Sequence, residues 1–296
     1  MAVLQPPQIE SNLYTLATRL LAKTTSPVGA QIELYVQTLG GFRVWRNETE
    51  VPTTAWGREK AIHLFQFFIT MRRQYVHKEQ IMDRLWPDLD LDKGDRDFKV
   101  ALNSINKALE PEREPRSEPR FVKRYGLAYG IDFEFVWLDT EIMEQLITAA
   151  NQIMHNGEGT PRDHELAFAI ACYDTAIKLY HGDYLPERRY EDWTSAERER
   201  LQLLALNTMT TLANLLLPSS PLESLRLAQR VLAVDPMWED AYRVLMRAFV
   251  TQHNRPMALR SYERCVAVLD EEFGVEPLPE TTELYERILH NEHIQD

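Results

Sequence analysis

RDFKVALNSINKALEPEREPRSEPRFVKRYGLAYGI, residues Arg96–Ile131, places two hydrophobic periods side by side. In its first part Phe98, Leu102, Ile105 and Leu109 recur at helical spacing, which predicts an amphipathic helix over Arg96–Leu109. Lys99, Asn103, Asn106 and Lys107 lie off that apolar stripe. Pro111 to Pro119 is a charged, proline-rich loop that no helix crosses. From Arg120 to Ile131 the residues become β-branched and aromatic, with Gly126 and Gly130 as turn points, which reads as a basic β-hairpin. A solvated helix carries Lys and Asn on its outer face as a matter of course. The order of the elements around this one therefore decides its meaning.

Working outward toward the N-terminus, Lys78–Trp86 reads as a second helix, with Ile81, Leu85 and Trp86 apolar and Pro87 as its stop. The acidic stretch DLDLDKGD, Asp88–Asp95, reads as the loop between the two, with Trp86 buried beneath it and Asp88, Asp90 and Asp92 exposed. Trp56–Thr70 is helical, with Ala61, Leu64, Phe65, Phe67 and Phe68 forming a broad apolar face. Ile32–Val51 is extended, with Gly40-Gly41 at a turn and a third short segment after Asn47. Three strands, three helices and a hairpin, over residues 31–132, is the order of a winged helix-turn-helix. Such a fold lays one helix in the DNA major groove. Residues 1–30 form an N-terminal extension in which Asn12–Lys23 fits a short helix and Thr24–Gly29 a linker.

Toward the C-terminus, residues 133–296 read as an all-α domain, with helices near 139–155, 164–181, 193–216, 222–234, 237–252, 257–272 and 280–291. SLRLAQRVLAV from Ser224 and ALRSYERCVAV from Ala258 match at an offset of 34 residues. Leu225 and Leu259, Arg226 and Arg260, and Arg230 and Arg264 are identical pairs, as are Ala233 and Ala267. That period belongs to tetratricopeptide-like helix pairs, so Leu225, Leu259, Ala233 and Ala267 are expected between repeat helices. The fold class is thus mainly α with a small β component: an α+β winged helix followed by helical repeats.

The charge distribution agrees with two parts of different character. The net charge is −12, yet residues 31–132 carry 17 Lys and Arg against 16 Asp and Glu, and residues 133–296 carry 14 against 28. The N-terminus lacks a secretory pattern and no apolar run approaches the ~20 residues of a bilayer span, which points to the cytoplasm and away from a membrane. Cys172 and Cys265 read as small core residues. There is no phosphate-binding glycine loop, no nucleophile elbow and no zinc-protease motif, so neither an enzyme nor a cofactor is expected. His290 and His293 near the C-terminus read as a solvated tail rather than a metal pair.

Several stretches together resemble the bacterial antibiotic regulatory protein (SARP) family. They are LGGFRV (39–44), WGREK (56–60), VHKEQIMDRLWPD (76–88), KVALNSINKAL (99–109) and FVKRYGLAYGI (121–131) in the first part. In the second they are DWTSAERERL (192–201), VLAVDPMWEDAYRVLMRAF (231–249), ALRSYERCVAVLDEEFGVEP (258–277) and PETTELYERIL (279–289). The resemblance implies a response-regulator-like winged helix joined to a bacterial transcriptional activator domain. It implies a sequence-specific DNA-binding activator that sits on promoter repeats as a homodimer and contacts RNA polymerase, with a protein or small-molecule effector at the helical repeats. Under it, Arg96, Lys99, Asn103, Asn106 and Lys107 of the third helix and Lys123, Arg124 and Tyr125 of the wing would face DNA. Asp88, Asp90 and Asp92 would face polymerase. Family members often carry arginines where Ser104 and Asn106 stand, and a Gly-x-Gly-Tyr wing where Gly126–Tyr129 reads GLAY. That departure supports an alternative, a protein–protein adaptor whose winged helix has weakened its hold on DNA.

Overall fold

The structure, a computed structural model, describes residue 17 and residues 32–46, 49–155 and 161–291. The expected Asn12–Lys23 helix, the Thr24–Gly29 linker and His293 lie outside the described residues, apart from Ala17, which is helical and buried. The chain divides into two compact units: residues 1–146 with 178–202, and residues 147–177 with 203–296.

In chain order the first unit has strands β1 (Leu34–Gln37), β2 (Arg43–Arg46) and β3 (Thr49–Glu50), helix α1 (Glu59–Thr70), strand β4 (Val76–His77), helices α2 (Lys78–Leu85) and α3 (Leu91–Leu109), and strands β5 (Val122–Tyr125), β6 (Ala128–Ile131) and β7 (Val136–Leu138). The predicted meander forms: β1 runs antiparallel to β2, with Leu34 opposite Arg46 and Gln37 opposite Arg43, and β3 continues it. Period-two alternation sends Leu34 and Val36 into the core. The residue before β2, Phe42, meets the apolar face of α1 edge-on at Phe65, 6.1 Å away, and Ala61, Leu64, Phe65, Phe68 and Ile69 of that face are buried. A strand the sequence reading did not register, β7, pairs in parallel with β1 and completes the order β3-β2-β1-β7. A second small sheet, β4-β6-β5, carries the hairpin, and Gly130 lies inside β6 rather than at a turn.

Helix α3 begins at Leu91, not at Arg96 as the periodicity suggests. The cause is Asp90, whose carboxylate accepts the Lys93 backbone N–H at 2.9 Å and caps the helix. The acidic loop is correspondingly shorter, and Asp92 belongs to the first helical turn. Trp86 is buried as expected and meets Phe98 edge-on at 6.4 Å. The buried face of α3 is Phe98, Ala101, Ile105, Ala108 and Leu109, while Leu102 is half-buried at its margin.

Residues 178–202, assigned by the sequence reading to the helical domain, pack within the first unit. Leu39 bridges to Tyr184, Gly40 N–H donates to the Asp183 carbonyl at 2.9 Å, and Leu185 N–H donates to the Thr38 carbonyl at 2.9 Å. Gly40 has φ +78°, and a Cβ there would stand 2.9 Å from the His181 Cβ, so the strap lies where only glycine leaves room. The buried Tyr184 hydroxyl and Thr70 Oγ1 are 2.8 Å apart, and Trp193 packs on His63 and Phe67 with ring centroids 5.5 Å away in each case. Arg72 bridges Glu144 at 2.8 Å and Glu197 at 2.5 Å. Asp139, also buried, accepts from Thr38 N–H and Oγ1 and from the Leu39 and Thr140 N–H groups, at 2.7–2.8 Å. Every lone-pair direction of that carboxylate is thereby used, as a buried charge requires. A boundary at residues 132 and 133 therefore does not follow the packing, because β7, Asp139 and the strap supply contacts that the meander and α1 lack.

The remaining helices are α4 (Asp139–His155), α5 (Asp163–Leu179), α6 (Asp192–Leu216), α7 (Pro221–Val234), α8 (Glu239–Thr251), α9 (Arg255–Phe273) and α10 (Pro279–Leu289). Each starts and ends within a few residues of its expected span, since strong 3.6-residue periodicity marks existence better than edges. In the second unit the 34-residue register is kept in the core: Ser224 and Ala258, like Val231 and Cys265, are fully buried equivalents. Ala233 and Ala267 are both exposed, contrary to expectation. Both identities fall on solvent-facing positions, Ala233 at the rim of a groove between α7, α8 and α9. Leu225 is buried, whereas Leu259 is half-buried at the edge of a cluster of Met246, Ala258, Leu284 and Ile288. Cys172 and Cys265 are buried, as expected of small core residues.

Candidate nucleic-acid interface

On α3, Arg96, Lys99, Asn103 and Lys107 are exposed. At 3.6 residues per turn they span an arc of roughly 80°, opposite the Phe98–Ile105 face. Asn106 does not join them. It is buried, its Oδ1 has no hydrogen-bond partner among the described residues, and it lies about 60° round the helix from Asn103, toward the core. The expectation that Asn106 reads a base is therefore corrected: a side chain in that position has no path to a groove.

The hairpin stands beside the same helix, because Tyr129 of β6 meets Phe98 of α3 edge-on at 4.9 Å. Lys123 is half-buried; Arg124 and Tyr125 are exposed. Arg124 Nε donates to the Gly126 carbonyl at 2.7 Å, and the guanidinium lies 5.7 Å from the Tyr129 ring, which holds it along the wing. Arg120 is drawn the other way, pairing with Glu33 at 2.8 Å and stacking 4.0 Å over Phe135.

Two features were not found from the sequence. Tyr75, 45% exposed, packs edge-on against Tyr125 at 4.7 Å, so the wing carries an aromatic pair. Burial against that neighbour pushes the Tyr75 phenol up from its ordinary value. The other is the corner at Gly57, which approaches Ser104 of α3 and places exposed Arg58 on the flank of the helix. WGREK was visible as a stretch, but nothing in its spacing says which helix it meets.

Charge pairing moderates this surface. Asp95 accepts from Lys78 at 2.5 Å and Lys99 at 2.6 Å, and these two ammonium groups hold its carboxyl below the usual value. Lys99 is thus exposed but partly neutralised. Asp88, Asp90 and Asp92 are exposed around the start of α3, with Asp90 also paired to Lys93 at 2.8 Å. No group of three or more His, Cys, Asp or Glu residues among those described has the geometry of a metal site.

Comparison with known proteins adds to this geometry. A solved structure described as Mycobacterium tuberculosis EmbR in complex with low affinity phosphopeptide is similar in fold, with a TM-score of 0.75 at 17% identity over 89% of this chain. This chain spans 66% of that one, a little under two thirds of its length. Residues 147–289 match the family model of the bacterial transcriptional activator domain. That match covers a little under half of the chain. Among curated proteins none matches it in sequence. The family model begins at Ile147, where the second unit also begins. No described helix is long and apolar enough to cross a membrane.

Proposed function

We propose that this regulator binds double-stranded DNA through α3 and the β5–β6 wing and activates transcription by contacting RNA polymerase. The observation that supports the reading is one surface: Arg96, Lys99, Asn103 and Lys107 in a row on a helix, with a hairpin bearing Lys123, Arg124 and Tyr125 packed beside it. A helix of that width enters a major groove, Asn103 suits an adenine edge, and the cations suit phosphate. Arg58 and Tyr75 extend the same surface. Asp88, Asp90 and Asp92, at the other end of α3, remain the candidates for polymerase contact. The site on promoter repeats calls for two copies, and the repeats of the second unit are the candidate seat of a protein or small-molecule effector. The phosphopeptide bound to EmbR supports a protein effector. These tasks involve no reaction and are carried out in the cytoplasm.

Selection of binding sites from genomic fragments, followed by affinity against salt, tests the reading. A specific site whose log K falls steeply with log salt is expected, because each phosphate contact releases counterion. Binding weaker than ~10⁻⁴ M at physiological salt with no selected site would overturn it. The adaptor reading is favoured by one observation, the pairing of Lys99 with Asp95 on a stripe that already lacks Asn106. It expects protein capture that survives salt, and no preferred DNA sequence.

A further inference from the structure

The second unit carries 9 Lys and Arg against 18 Asp and Glu, yet one of its grooves runs against that trend. Between α7, α8 and α9 lies a cavity of about 370 Å³ whose floor includes Leu232, Leu245, Phe249 and Met257. Its rim holds Arg260 and Arg264, one helical turn apart, and none of its lining residues is acidic. Arg264 stands beside Tyr242 at the wall of the groove. Arg260 is exposed and makes no ion pair with any described residue. Two guanidinium groups over an apolar floor suit a segment that carries an apolar side chain beside carboxylates.

The same unit displays such a segment. Phe273, Val275 and Leu278 are 65%, 50% and 51% exposed, among exposed Asp270, Glu271, Glu272 and Glu276. Large apolar side chains grouped at the surface mark an interaction site more often than chance. This turn is also rigid. Gly274, at φ +64°, closes α9 by donating to the Asp270 carbonyl at 2.9 Å, and Leu278 N–H donates to the Glu239 carboxylate at 2.9 Å. A preordered apolar tip loses little entropy on docking.

We propose that the acidic–aromatic turn around Phe273 of one copy docks into the Arg260–Arg264 groove of a second copy. This goes beyond the DNA-binding reading and does not depend on it. A chain cannot serve itself: Phe273 lies about 17 Å along α9 from the middle of the arginine pair and on nearly the opposite face. Tip and groove are different surfaces, so the contact is head-to-tail, and each docked copy leaves one of each free. Apolar burial gives the contact its strength, and the arginines meeting Glu271 and Glu272 set its register.

Sedimentation velocity of the full chain, without DNA, tests this. Mass is expected to grow with concentration beyond a dimer. Phe273→Ser and Arg260→Glu, each folded by circular dichroism, should each weaken association by at least about tenfold. The two variants mixed should form a one-to-one dimer and nothing larger, since one retains the groove and the other the tip. A wild-type chain that stays monomeric overturns the proposal. If it does so while a peptide of residues 268–280 binds it in an Arg260-dependent way, the occupant is such a segment from another protein. Variants that leave association unchanged, or a mixture that stays monomeric, overturn it equally.

Discussion

Asn106 and Asn103 are three residues apart on α3, and that step separates a buried side chain from a solvent-exposed one. Asn103→Ala should cost ~1–3 kcal/mol at a selected DNA site and relax the base preference there. Asn106→Ala should shift the thermal midpoint and leave base preference alone; competition binding with single-base variants separates the two. Lys123→Ala or Arg124→Ala should weaken binding to all sequences alike and lower the salt slope by about 1 each. His63 gives a prediction about pH. Burial, then the positive charge of Arg188, lowers its pKa to about 4, against the smaller opposing pull of Glu191 3.2 Å away. The folded chain therefore keeps His63 neutral where the unfolded chain, titrating near 6.5, takes a proton. Its contribution is full above pH 6.5 and is lost as pH falls toward 4. Linkage allows a loss of up to about 3 kcal/mol across that window. Denaturant titrations at pH 7 and pH 4.5 should show it, and His63→Gln should remove most of the difference. None of this was visible in the sequence, because a histidine on an apolar face does not say which charges surround it.

The elements themselves were largely legible. Helices α1 to α10 announce themselves by apolar residues every three or four positions, and the meander by alternation about Gly40-Gly41. What escaped were features set by single polar groups or by distant partners. The start of α3 depends on the Asp90 carboxylate, and β7 has three residues, too few for any period to show. The matched alanines of the repeat misled because identity at an offset of 34 residues reports shared ancestry of a helix pair, not which face is inside. Two tests follow. Asp90→Ala should destabilise the first unit by about 0.5–2 kcal/mol, while Asp90→Asn, an equally good cap without the charge, should not. If Asp90 faces polymerase, Asp90→Asn should still reduce transcription with DNA affinity unchanged; parallel loss of both would assign it to folding alone. Leu259→Ala, at the edge of its cluster, should cost roughly 1–2 kcal/mol, below the ~2–5 kcal/mol expected for Met246→Ala, which is fully buried in it. Chemical denaturation ranks the two directly.

At the scale of the whole molecule, the winged helix is not a cassette. The Arg72 bridge to Glu144 and Glu197, the Tyr184–Thr70 contact and Trp193 on His63 and Phe67 all come from beyond residue 132. A fragment of residues 31–132 should therefore melt well below the corresponding unit of the full chain, or without a cooperative transition, by calorimetry. A fragment that melts sharply at the same temperature would show the strap to be ornamental. The closing residues of the first unit, 178–202, follow the start of the second in the chain. During synthesis, at ~5–20 residues per second, the ribosome needs seconds to travel from β7 to the end of the strap. For that interval the nascent winged helix lacks its last layer, with Phe67 and His63 unroofed and Arg72 short of one carboxylate. A chain cut short by premature termination inside α5 is left in that state permanently, and proteolysis removes what cannot close. The first unit thus closes only after residues 147–177 of the second have been made, an order of assembly written into the chain.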